Sequence, residues 1–112
     1  MMITTKQAGE ITVLTLSGKI TIGEGDLNLR NSIREELEKG TIKIVIDFTE
    51  VTRIDSSGIG ELVSAYTIIS NRGGKLKLCN LPNRVIEILQ VTQLLSIFEI
   101  YNDEEEAVKS FD

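Results

Sequence analysis

The chain contains no histidine. A Ser-His-Asp or Cys-His catalytic arrangement therefore cannot be assembled within it, and the imidazole acid–base role at neutral pH is empty. The single cysteine, Cys79, excludes an internal disulfide and fits a reducing, cytoplasmic setting. Structural zinc sites use Cys and His, and one Cys cannot build one. Within Leu76-Lys77-Leu78-Cys79 it reads as a small buried hydrophobe on a strand. No apolar run approaches the ~20 residues that span a bilayer. Met1-Met2-Ile3-Thr4-Thr5-Lys6 lacks a charged stretch followed by an apolar one. Neither membrane insertion nor a signal peptide is expected. Lysines and arginines are scattered and the formal net charge is −5, which argues against nucleic acid, since phosphate binding needs a basic stripe. A phosphate-binding loop is also missing. Gly58-x-Gly60 has no third glycine, and Gly23-x-Gly25 lacks both that glycine and a following Lys-Ser/Thr. No cofactor is expected.

What remains is an ordinary globular composition: 112 residues, 41% hydrophobic and 26% charged. That length reads as one domain over 1–112. Ile3–Gln7 and Ile11–Leu16 read as strands joined by a turn at Ala8-Gly9-Glu10, with Gly18 ending the second. In that strand Ile11, Val13 and Thr15 face one way, and Thr12, Leu14 and Leu16 the other. Thr21–Asp26 reads as a loop, with Asp26 capping a helix to Lys39 that carries Leu29, Ile33 and Leu37 on one face. Gly40 fits the left-handed position after that helix. Ile42–Phe48 is the strongest strand, apolar on both faces after Lys43, and so central and covered on both sides. A helix over Ser57–Asn71 follows, then a strand over Lys75–Cys79. Pro82 is placed for the first turn of a third helix with Val85, Ile88 and Leu89 inward. Ile97–Tyr101 reads as a fifth strand. Asp103 caps a last helix whose Glu104, Glu105 and Glu106 suit the positive end of its dipole, with Lys109 at the other end. The order ββαβαβαβα implies an α/β fold with a mixed, largely parallel sheet of about five strands and about four helices.

Ile54-Asp55-Ser56-Ser57-Gly58-Ile59-Gly60 joins a strand region to a helix start, where free N–H groups and the helix dipole favour an anion. Three roles are open to its serines. One is a plain helix cap, although capping needs a single oxygen and this segment offers three residues able to supply it. The second is a nucleophile, which lacks a base: the adjacent aspartate has an ordinary pKa of about 3.9. The third is phosphorylation. A phosphate adds about −1.5 to −2 charge. The helix end accommodates it in the free protein by about 0.3–1 kcal/mol. Against a partner surface, beside Asp55 and Glu61, like-charge repulsion acts in the other direction. Asp47, at the end of Ile44-Val45-Ile46, has the position of a phosphoaspartate, but no acidic pair follows the first strand to hold Mg²⁺. A structural role suits it better.

These residues resemble the STAS domain of bacterial anti-sigma factor antagonists. The likeness covers nearly the whole chain. It includes the early strand ending Val13-Leu14-Thr15-Leu16-Ser17-Gly18, the apolar strand before Asp47, and above all Ile54-Asp55-Ser56-Ser57-Gly58-Ile59-Gly60. It continues through Gly73-Gly74-Lys75-Leu76 and the Pro82 helix. The Asp-Ser-Ser-Gly segment is specific because of its strand–helix context; the four residues alone would be a weak signal.

The resemblance implies a STAS fold and a mechanism. Ser56, directly after the aspartate, corresponds to the family's phosphoacceptor, and Ser57 then reads as the helix cap. The unphosphorylated chain would bind an anti-sigma factor that is also a serine/threonine kinase and free the sigma factor. Phosphorylation of Ser56 would end binding, and a PP2C-type phosphatase would reset it. The chain itself would be no enzyme, and a monomer or weak dimer. Partner contacts are expected from Gly23, Glu24, Gly25, Asp26, Asp55, Ser56, Ser57, Gly58, Ile59 and Glu61. The loop Thr21–Asp26 looks longer than in the best-known members, and its acids Glu24 and Asp26 suggest a basic patch on the partner. The alternative is a scaffold or accessory STAS module of a stress-sensing or lipid-transport complex.

Overall fold

A computed structural model describes residues 1–112. The elements are β1 (Met2–Ala8), β2 (Ile11–Ile20), α1 (Gly25–Glu38), β3 (Lys43–Ile54), α2 (Ser56–Asn71), β4 (Lys75–Cys79), α3 (Asn83–Val91), β5 (Glu99–Tyr101) and α4 (Glu104–Lys109). The sheet order is β1-β2-β3-β4-β5. β1 and β2 form an antiparallel hairpin, and every later pair is parallel. The expected α/β order is therefore found. No helix is long and apolar enough to cross a membrane.

Alternation along the strands divides the core between the two faces of the sheet. Leu14, Leu16, Ile44, Ile46, Leu76 and Leu78 point to one face, where Leu29 and Ile33 of α1, Leu62 and Ile69 of α2, and Val85 and Leu89 of α3 cover them. Ile11, Val13, Val45 and Cys79 point to the other, where Ala107 of α4 packs. β3 is central and covered on both sides, as its two-faced apolar pattern requires. Burial pushes the Cys79 thiol up to about 12, in keeping with an inert core residue.

Several boundaries differ from the sequence reading. Gly18 does not end β2. The strand runs on to Ile20, with register shifts against β3 between Thr15 and Ser17 and between Gly18 and Lys19. Gly18 has φ +95°, which lets the strand bend without stopping. β3 extends past Phe48 to Ile54, because Val51 and Ile54 remain buried while Thr49, Glu50, Thr52 and Arg53 take the exposed positions. β5 begins only at Glu99; Phe98 packs in the core before it, edge-on to Tyr66 at 5.7 Å between ring centroids. Pro82 is the residue before α3, with its carbonyl accepting from the Val85 and Ile86 N–H groups.

Asp47 is the last residue of β3 paired with β4. Its Oδ1 accepts from the Thr49 N–H at 2.9 Å and from Asn80 Nδ2 at 3.1 Å. It ties β3, where its pairing with β4 ends, to Asn80, the residue after β4, which is the structural role expected of it.

Candidate functional site

The extended β3 delivers the chain directly into α2, so no loop separates them. Asp55 is the intervening residue, with extended φ −115° and ψ −174°. That conformation aims its side chain back over the first turn, and its Oδ1 accepts from the Gly58 N–H at 3.1 Å. Asp55 is therefore the helix cap, and the expectation that Ser57 caps α2 is corrected. Three consecutive residues could have supplied the oxygen; the extended backbone at Asp55 selects the first.

The other oxygen of the carboxylate reaches out of the helix. Oδ2 accepts from the Ile22 N–H at 3.0 Å, and the Asp55 N–H donates to the Ile20 carbonyl at 3.4 Å. Asp55 thus joins the turn after β2 to the start of α2. The Ile22 and Gly58 N–H groups hold its carboxyl below the usual carboxylate range, with Ser57 N–H adding to the effect. A carboxylate so depressed stabilises the fold above its ordinary value of about 3.9, and that contribution is lost as pH falls through the lower folded-state value. Asp55→Asn places an amide NH₂ against one of these N–H donors. The variant is expected to melt below the wild type at pH 7 and to lose less further stability between pH 5 and pH 3, measured by urea titration across that range. Equal acid dependence in both proteins would show that Asp55 does not carry the effect.

With the cap assigned to Asp55, Ser56 is left at the first helical position and exposed. Ser57 is half-buried. Gly58 is buried because the end of β2 lies against it: a Cβ there would stand 2.3 Å from the Ile20 carbonyl oxygen. Ile59 is buried in the core. Glu61 is engaged by Arg30 of α1, whose Nε donates to Oε1 at 3.0 Å.

The preceding turn is shorter than the sequence suggests. Only Thr21–Glu24 lies between β2 and α1. Glu24, not Asp26, occupies the cap position, without a side-chain cap bond. Gly25 and Asp26 lie in the first turn of α1 and are buried. Asp26 Oδ1 accepts from the Gly23 N–H at 3.0 Å and the Leu27 N–H at 2.8 Å, so it shapes the turn from within. Of the expected contact residues, Gly23, Glu24 and Ser56 are exposed, whereas Gly25, Asp26, Gly58 and Ile59 act beneath the surface. The sequence reading missed Ile22. It is 75% exposed, and its own N–H is held by Asp55 beside Ser56. Only the glycines that follow it, Gly23 and Gly25, hinted that it would be displayed.

A family model described as the STAS domain matches residues 2–107. The chain belongs to the STAS domain family. It is 36% identical over 88 residues to the anti-sigma-B factor antagonist of Listeria monocytogenes, which covers 75% of this chain and 77% of that protein. A crystal structure of a candidate anti-sigma factor antagonist from Thermotoga maritima superposes with a TM-score of 0.90 at 28% identity, covering 96% of this STAS chain and 92% of that one. The Bacillus cell fate determinant SpoIIAA, solved in its phosphorylated form, matches with a TM-score of 0.77 at 20% identity over 99% of this chain and all of its own, a likeness of fold.

Proposed function

We propose that this STAS domain is an anti-sigma factor antagonist whose binding is switched off by phosphorylation of Ser56. The observation that carries the reading is the division of labour at the start of α2. Asp55 caps the helix, so the exposed Ser56 hydroxyl is not needed to hold the fold. The names of the curated relatives support the coarser part of the reading.

The partner is an anti-sigma factor that is also a serine/threonine kinase. It transfers the γ-phosphoryl group of its ATP to Ser56 Oγ: the new O–P bond forms as the bond to ADP breaks, and the hydroxyl proton passes to a base on the kinase. The added charge, about −1.5 to −2, arises beside the Asp55 carboxylate at the contact surface and repels the complex apart. A PP2C-type phosphatase hydrolyses the ester and restores binding. Incubation with the cognate kinase and ATP, followed by mass spectrometric mapping, tests the reading; an active kinase that leaves Ser56 unmodified overturns it.

Ile22 supplies the apolar contact of the same surface. An isoleucine side chain fully buried against a partner contributes about 1.5–3 kcal/mol. Ile22→Ala is expected to weaken kinase binding about tenfold or more while leaving the melting temperature unchanged, read by titration calorimetry and thermal denaturation. Wild-type affinity in this variant would place Ile22 outside the interface.

A further inference from the structure

On the face of the sheet opposite the one α2 covers, Lys77 of β4 is buried, at 2% exposure. Its Nζ donates to the Ser110 carbonyl oxygen at 3.0 Å and to the Ser110 hydroxyl at 2.8 Å. It lies 3.6 Å from Glu99 Oε1, and 4.3 Å from the centroid of the Phe111 ring and 5.6 Å from that of Tyr101. Ser110 Oγ in turn donates to the Ala107 carbonyl at 2.6 Å. A buried ammonium is costly unless paired and hydrogen-bonded, and here both acceptors belong to Ser110, the residue that follows α4.

α4 is a short helix with one fully buried side chain, Ala107. Such a helix has no stability of its own in water. A second tether, the Lys6–Glu104 ion pair, is exposed and contributes little. Segments with few buried apolar contacts open before the rest of a fold.

We propose that α4, with Ser110 and Phe111, is a strap that opens as a unit of its own, locked by the Lys77 ammonium, while the sheet and α1–α3 stay folded. Opening uncovers the apolar face formed by Ile11, Val13, Val45 and Cys79, away from the surface that carries Ser56. The two devices are therefore separable.

Cys79 serves as the reporter, since it lies in the cluster beneath Ala107 and is the only thiol. Labelling with an aromatic disulfide reagent is measured against urea and compared with global unfolding. In the wild type, labelling is expected to depend on urea far more weakly than global unfolding does. Lys77→Met and Ser110→Ala are each expected to speed labelling at least tenfold without urea, while circular dichroism and the global midpoint change much less. Labelling that follows the global urea dependence, or wild-type rates in both variants, overturns the proposal. Should Lys77→Met not fold, Ser110→Ala and the wild-type urea dependence decide it.

Discussion

Ser56→Asp is expected to lower affinity for the cognate anti-sigma kinase by about a hundredfold, or about 2.8 kcal/mol, and to leave the melting temperature nearly unchanged. The separation of the two effects follows from the start of α2. The cap bond to the Gly58 N–H comes from Asp55, so a new carboxylate at position 56 removes no bond that holds the helix. It also stands in the first turn, where the dipole favours negative charge. In the proposed complex the charge meets the partner beside Asp55, so the cost is expected in binding. Ser56→Ala is expected to bind as the wild type does and to remain bound in the presence of ATP. A large fall in melting temperature for Ser56→Asp would mean that Ser56 supports the fold, contrary to the assignment of the cap.

Gly58→Ala is expected to destabilise the fold by roughly 3 kcal/mol, at the upper end of what overpacking usually costs. Two effects oppose each other here. Helix propensity alone favours alanine over glycine by about 1 kcal/mol. The contact decides the sign: the added Cβ would lie 2.3 Å from the Ile20 carbonyl oxygen and 2.7 Å from Ile54 Cγ1. The carbonyl is backbone at the end of β2 and accepts from the Asp55 N–H, so it cannot withdraw as a flexible side chain would. Differential scanning calorimetry should show a fall of about 10 °C or more. An unchanged or raised melting temperature would mean that propensity wins and that β2 is not seated against α2.

Much of this was legible in the sequence. The strand and helix order, the two-faced character of the central strand, and the faces of β2 all follow from apolar periodicity. Asp103 could be read as a cap because the glutamates after it mark a helix's first turn, and its carboxylate does accept from the Glu106 N–H. At the serine site three oxygen-bearing residues stand in a row, so composition could not choose among them; the backbone at Asp55 does. The end of β3 was hidden because Val51 and Ile54 break strict alternation where β2 shifts register. Ile22 and Lys77 carry no periodic signal. One is an isoleucine displayed by a turn, and the other a lysine buried by a cage formed only when the residues after α4 fold back.

If Ser56 is the switch, one phosphate there changes binding and spares the fold. Titration calorimetry of the kinase with the unmodified chain and with the chain phosphorylated at Ser56, each checked by mass spectrometry and thermal denaturation, tests this most directly. The phosphorylated form is expected to bind about a hundredfold or more weakly, with a melting temperature like that of the unmodified form. Equal affinity of the two forms would contradict the assignment of Ser56 as the switch.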